Sequence, residues 1–347
     1  MHPAIRWSKQ DPLLESHVYE LKETTAVNTT TVMKRKRTIS ELQVETKEHL
    51  DTSSVRVCEE NVPMKKRRRL AVTAPSVTAS SSEIYIVPVG MTWSNNSCAY
   101  DSVFTILFAI WCNNKDLWNI NFYEIDNEFS ILLTDQFSKY DKKMISLEKA
   151  RDKVRKELAK VFPHLKFGSY TSIEYIFDAM FTTSEVIYDI SHQCANNHED
   201  LYSEENKLYM TKGCAHFTST SEWMQKNSYN ATNSCRTCGQ AVDIETAFVA
   251  APPLVVLEFS GSNIEIDHYF EIKISNEIHK YDLAGVVYYR DQHFVSNIIT
   301  ADKQVWFYDG LTTGSQLIYS GSLLSCPNLT SCRGGSATAA FYIRVHE

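Results

Sequence analysis

The chain has 347 residues, 43% hydrophobic, 12% aromatic and 22% charged, enough apolar material for a sizeable core in one large domain or two smaller ones. Its formal net charge of −7 is uneven: residues 1–82 carry 14 Lys/Arg against 10 Asp/Glu, and the remainder 21 against 32. The acidic body argues against nonspecific nucleic-acid binding and suits a basic protein partner, and no run reaches the ~18 apolar residues of a membrane span.

No export signal is legible, and nine cysteines scattered over so long a chain fit a reducing compartment better than a disulfide framework. In such a compartment they serve as core residues, metal ligands or nucleophiles. Residues 1–82 are rich in Thr, Ser, Lys, Arg and Glu, lack apolar periodicity, and are expected to be a disordered basic tail. Two clusters in it, Lys34-Arg35-Lys36-Arg37 and Lys65-Lys66-Arg67-Arg68-Arg69, read as nuclear import signals or as plain solvated charge. The expected location is therefore nuclear, with the cytoplasm also open, and any nucleic-acid contact is confined to this tail.

Residues 83–347 are expected to fold. Ile84-Tyr85-Ile86-Val87 predicts a short strand. After the polar turn Ser94-Asn95-Asn96-Ser97, the segment from Cys98 to Trp111 is apolar nearly all round, which predicts a helix at the domain centre. A second helix is predicted from Ser146 to Val161, where Leu147, Ala150, Val154, Leu158 and Val161 recur at spacings of three and four. From Pro252 onward the pattern turns to strands at Leu254-Val255-Val256-Leu257, Tyr269-Phe270-Glu271-Ile272, Gly285-Val286-Val287-Tyr288, Val305-Trp306-Phe307-Tyr308 and Phe341-Tyr342-Ile343. A helical part followed by an antiparallel sheet predicts an α+β protein.

Cys98 stands where the polar turn meets the buried helix. The positive end of the helix dipole favours thiolate there, and orphan N–H groups can donate to an oxyanion beside the sulfur. The plain alternative is an inert buried cysteine. Asp101 in the first turn is a capping residue or a residue that orients Cys98. Trp93, Trp111, Trp223 and Trp306 read as core. Further on, Cys194 and His198 form a Cys-x3-His pair, and Cys235 and Cys238 a Cys-x2-Cys knuckle followed by Gly239. Together they make a Cys3His set of the structural zinc type, placing a small zinc-finger subdomain at about 190–240. His192, Cys214 and His216 are alternative ligands, and scattered core cysteines are the competing explanation.

The segment Asn95-Asn96-Ser97-Cys98-Ala99-Tyr100-Asp101-Ser102-Val103 resembles the cysteine box of ubiquitin-specific proteases. Tyr281-Asp282-Leu283-Ala284-Gly285-Val286-Val287-Tyr288-Tyr289, leading to Gln292-His293-Phe294, resembles their histidine box. Val305-Trp306-Phe307-Tyr308-Asp309-Gly310 resembles the third box, and Pro252-Pro253-Leu254-Val255-Val256-Leu257 their Pro-Pro strand. The resemblance runs in order over about residues 88–315. It implies a papain-like cysteine protease fold in which Cys98 is nucleophile, His293 its base and Asp309 the residue that orients the histidine. Paired knuckles in the family's finger region support the zinc set, with His198 in place of one cysteine. Outside the resemblance, His293 is an ordinary histidine and Asp309-Gly310 a turn signal.

The chain departs from the family at named positions. Trp93 occupies the place of an oxyanion-donating Asn, which leaves Asn95 and Asn96 as candidates for that role. Gln292 stands for a Gly, Phe294 for a Tyr, and the turn before His293 is short. These changes resemble a divergent branch, similar to domains found beside fungal mobile elements or to SUMO-directed relatives. The activity implied is a thiol isopeptidase acting at the C-terminal Gly of ubiquitin or a ubiquitin-like modifier, in an enzyme expected to be monomeric. A silent modifier-binding domain and a DNA-binding tail are the competing classes.

Overall fold

The apolar run after the Ser94–Ser97 turn forms helix α1 (Cys98–Asn113), in which every residue from Cys98 to Trp111 is buried. The structure is a computed structural model that describes residues 88–196, 198–211, 217–226, 228–259, 264–326 and 328–346. The tail, its basic clusters, the expected strand at 84–87, Cys58, Cys214 and His216 lie outside the described residues. Among the described residues, no helix is long and apolar enough to cross a membrane.

Four helices accompany α1 on the N-terminal side: α2 (Lys115–Glu124), α3 (Glu128–Asp141), α4 (Leu147–Val161) and α5 (Ile173–Met180). The predicted helix at 146–161 is α4, with Ser146 as its N-cap accepting from the Lys149 N–H at 3.3 Å. Neither α2 nor α3 was expected from the apolar pattern. Their starts are nonetheless encoded, because Asn114 and Asn127 cap them through side-chain oxygens. Phe108 of α1 meets Phe137 and Tyr140 of α3 edge-on, with ring centres 5.0 and 5.4 Å apart. Each such ring removed from water contributes roughly 1.5–3 kcal/mol.

The other side of α1 lies on a nine-stranded sheet. Its path is β11 (Ile318–Ser322), β10 (Gln304–Tyr308), β9 (His293–Ile299), β8 (Glu277–Arg290), β13 (Gly335–Arg344), β6 (Leu254–Glu258) and β3 (Tyr209–Met210); β12 (Ser331–Cys332) pairs with β13 and β7 (Tyr269–Ile274) with β8. All five predicted strands downstream of Pro252 fall within β6, β7, β8, β10 and β13. Gly285 on β8 lets the helix come close, since a Cβ there would stand 2.7 Å from Ile106. Two expectations need correction. The sheet is not wholly antiparallel, because β3 runs parallel to β6. The helices do not all precede the strands, because α6 (Thr220–Lys226) follows β3. The fold is mixed α/β.

Strand β9 begins at His293, and only two residues, Asp291 and Gln292, join it to β8. Both have positive φ, 48° and 60°, as in the primed turns that suit a hairpin's twist. A non-glycine residue in that region costs about 1–2 kcal/mol, whereas Gly loses about 0.5–1 kcal/mol of chain entropy on folding. Gln292→Gly is therefore expected to raise stability by about 0.5–1 kcal/mol, read from the urea midpoint. A lower midpoint would mean that the Gln292 side chain secures the turn through its own contacts.

A second sheet is built between residues 188 and 248, in the order β2 (Glu199–Glu205), β1 (Tyr188–Cys194), β5 (Ala241–Phe248), β4 (Ser228–Ser234). Along β5 burial alternates residue by residue, with Val242, Ile244, Thr246 and Phe248 inward. At one end Tyr188 pairs with Phe248 and joins the main core; at the other Cys194 pairs with Val242 in a small cluster of its own with Cys235.

Candidate active site and metal centre

Cys98 is the first residue of α1 and is 6% exposed. The loop before it is fastened to the end of β10. The Tyr308 hydroxyl accepts from the Met91 N–H at 3.1 Å and donates to the Met91 carbonyl. The Trp93 N–H donates to the Gly310 carbonyl at 2.9 Å. Gly310 is needed at this junction, because a Cβ would come within 2.9 Å of the Met91 carbonyl. The residue between Tyr308 and Gly310 is Asp309, so the contacts that anchor the cysteine loop also fix the carboxylate.

His293 at the start of β9 lies between Cys98 and Asp309. Its Nε2–H donates to Asp309 Oδ1 at 2.8 Å, and the Cys98 sulfur is close enough to the ring to raise its proton affinity. With Nε2 committed, Nδ1 is the ring nitrogen left for the sulfur. Asp309 is 1% exposed and is well supplied with donors: the Leu311 N–H at 3.0 Å and the Thr312 hydroxyl at 2.7 Å, besides His293. Burial opposes its ionisation, but the bonds from His293 and Thr312 win and hold the carboxyl down at about 2. Burial likewise disfavours the His293 imidazolium, yet the bond to Asp309 and the influence of Cys98 outweigh that and raise it to about 9. Thr312 is a contributor that the sequence did not reveal.

The two asparagines before Cys98 occupy a strained turn, Asn95 at φ 51° and Asn96 at φ 55°. Asn tolerates this region better than other side chains, which accounts for its use twice in succession. The Asn96 side-chain amide donates to the Gly168 carbonyl at 2.8 Å, and Asn95 is exposed. Behind the turn, Ser97 donates to Asp101 at 2.5 Å, and Asp101 pairs with Arg151 at 2.7 Å, both partners fully buried. Burial lifts the Asp101 carboxyl to about 6 against the pull of Arg151 and Ser97, so it is ionised at neutral pH. Asp101 thus ties Ser97 to Arg151 at the helix start and caps no backbone N–H there. Trp111 and Trp223 are buried as expected, and Trp93 and Trp306 are partly buried.

In the second sheet the four sequence-selected ligands converge. The candidate atoms of Cys194, His198, Cys235 and Cys238 all lie within 4.8 Å of one another. Cys194 and Cys238 sulfurs are 3.3 Å apart, and His198 Nδ1 is 3.9 Å from Cys194 and 3.7 Å from Cys235. A tetrahedral ion with ~2.3 Å metal–sulfur bonds needs ligand separations of about 3.5–3.8 Å, so the set fits. The knuckle closes with the Gly239 N–H on the Cys235 carbonyl at 2.8 Å and Gly239 at φ 71°. Bonds from the Gln240 N–H and Asn196 bring the Cys238 thiol down to about 6, toward the ligating form. The group can bind a metal. His192 lies within β1 and is not one of the four clustered ligands.

No protein-family model matches the chain, and no curated protein matches it. Among solved structures it is similar to the SAGA DUB module Ubp8/Sgf11/Sus1/Sgf73 bound to monoubiquitin, at 13% identity and TM-score 0.48, covering 74% of this chain and 69% of that one. It is also similar to that module bound to ubiquitin aldehyde, at 13% identity and TM-score 0.47, covering 74% and 70%. A yeast SAGA DUBm structure with an altered Sgf73 gives 13% identity, TM-score 0.48, and coverage of 74% and 68%.

Proposed function

We propose that this chain is a cysteine peptidase of the ubiquitin-specific type, releasing ubiquitin or a ubiquitin-like modifier such as SUMO from an amine. The observation that carries the reading is a thiol at the start of a buried helix, a histidine whose proton affinity it raises, and a buried carboxylate bonded to that histidine. His293 takes the Cys98 proton, and the sulfur attacks the carbonyl carbon of the modifier's terminal Gly. As the tetrahedral adduct collapses, the C–N bond breaks and His293 gives its proton to the departing amine, leaving a thioester on Cys98. Water, deprotonated by His293, attacks the thioester and regenerates the thiol. Asp309 holds the ring by Nε2 and stabilises its charged form.

In this reading residues 83–347 are the catalytic domain, and the Cys194, His198, Cys235 and Cys238 group holds a structural zinc that stiffens the second sheet. The test is incubation of the full chain with ubiquitin and with SUMO carrying C-terminal electrophiles, under reducing conditions, followed by intact-mass measurement. One adduct, mapping to Cys98, is expected with at least one of the two. Tight binding of both without any adduct would replace the enzyme by a silent modifier-binding domain.

A further inference from the structure

The turn before Cys98 is gripped from behind by two arginines whose burial calls for explanation. Arg151 and Arg155 stand one helical turn apart on α4, and their side chains are 0% and 1% exposed. Arg151 alone pairs with the buried Asp101, and the two arginines share the partly exposed Asp152. Arg151 takes the close contacts with both, while Arg155 is 3.6 Å from Asp152 and lies against the rings of Tyr100 and Phe167, 4.9 and 4.6 Å from their centres. Apolar side chains of similar volume would fill the same space without the desolvation cost of two guanidinium groups. The guanidinium donors instead go to main-chain carbonyls of the turn. Arg151 donates to Thr92 at 2.8 Å; Arg155 donates to Asn95 at 2.7 Å and to Ser94 at 3.4 Å.

The direction of these bonds matters because no peptide among the described residues is cis. In a trans peptide the C=O and the following N–H point opposite ways. Drawing the Ser94 and Asn95 carbonyls inward toward α4 therefore turns the N–H groups of Asn95 and Asn96 outward. The chain then passes from positive φ at Asn95 and Asn96 back to the right-handed region at Ser97, with φ −88° and ψ 0°. A left-to-right reversal of this kind gathers successive N–H groups on one side, as in an anion-binding nest. The N–H of Cys98 follows directly, as one of the orphan donors of α1.

We infer that Arg155, supported by Arg151, is a positioning residue that holds the Ser94–Asn96 main chain so that the N–H groups of Asn95 and Asn96, with that of Cys98, bind the oxyanion formed on a carbonyl attacked by Cys98. The inference rests on the peptidase reading. It assigns the oxyanion donors to the backbone and gives the buried arginine pair a role that packing does not require.

Two probes of the full chain separate this role from a structural one. With ubiquitin C-terminal aldehyde, or the SUMO aldehyde if only SUMO labels, the Cys98 thiolate adds to the carbonyl carbon and the π pair moves to oxygen; nothing leaves. With iodoacetamide the C–S bond forms as iodide departs, and no oxyanion arises. Arg155→Met is expected to weaken aldehyde binding and lower kcat about 10–100-fold, while KM and the alkylation rate at Cys98 change less than about twofold. Arg155→Lys, which keeps one donor for the Asn95 carbonyl, is expected to recover part of the loss. Equal losses with both probes, or an unchanged aldehyde affinity, would overturn the inference. Should Arg155→Met not fold, Arg155→Lys against wild type carries the same comparison, with a several-fold loss confined to the aldehyde. Wild-type protein that alkylates at Cys98 yet neither binds an aldehyde nor cleaves a conjugate would instead sink the peptidase reading itself.

Discussion

Cys98→Ala is expected to abolish turnover and all labelling by a modifier electrophile, because no other group in the array can form the thioester. His293→Ala should cost about 10³–10⁶-fold in kcat/KM, the range for loss of a triad member, with the fold retained. Asp309→Asn should be milder and is the more informative change. Asp309 helps hold His293 charged up to about 9, above the ordinary histidine value. The proton that His293 receives from Cys98 should therefore be kept up to about pH 9, and the wild-type rate should fall on the alkaline side as that proton is lost. Removing the carboxylate charge lowers the proton affinity of His293, so the alkaline limb of Asp309→Asn should move to lower pH. The stability linkage has the same direction: the contribution of His293 is fully present below about pH 6.5 and is lost as pH rises through about 9. Asp309 itself, held at about 2, stays ionised across this range. An alkaline limb that does not move in Asp309→Asn, or Cys98→Ala protein with full activity, would remove the proposed roles.

What could be read from the sequence followed from local rules, and what could not depended on distant contacts. The burial of α1 was legible because apolar residues fill all its faces, and the five downstream strands because β-branched and aromatic residues cluster in short runs. Strand β9 escaped notice since its apolar residues follow those of β8 after only two turn residues, whose positive φ no glycine announces. Strands β1, β2 and β4 are polar, with Asp, Ser, Gln and Asn in place of apolar alternation, and a small cysteine cluster rather than a hydrophobic pattern packs the far end of the sheet. The candidate ligands were found by spacing alone. Arg151 and Arg155 went unrecognised because charged residues on a helix ordinarily face solvent. Their row, Leu147, Arg151 and Arg155, lies beside the apolar row Ala150, Val154 and Leu158, and that neighbourhood was the available signal.

Purified protein is expected to carry about one zinc per chain, and its removal should unfold the second sheet while the main core survives. The outer end of that sheet has almost no hydrophobic core of its own: Cys194, Cys235 and Val242, with Cys238 packed against them, are separate from the large cluster that buries α1. Without a cation, thiolates on sulfurs only 3.3 Å apart repel one another. With zinc the same crowding becomes four bonds, worth about 10–16 kcal/mol in isolated zinc-finger peptides at neutral pH. Strong chelation should thus open the β1–β2 and β4–β5 ends to protease and speed their amide exchange, leaving α1, β8 and β13 protected. Cys238→Ser should reproduce this at lower chelator concentration, since one thiolate is lost from a partly exposed corner of the set. The rate of Cys98 alkylation should change little in either case, because Cys98, His293 and Asp309, the proposed catalytic residues, lie in α1, in β9 and just after β10, away from the second sheet's strands. Metal analysis showing no zinc in protein whose second sheet is nonetheless protected would exclude a structural ion and leave the cluster as four packed core residues.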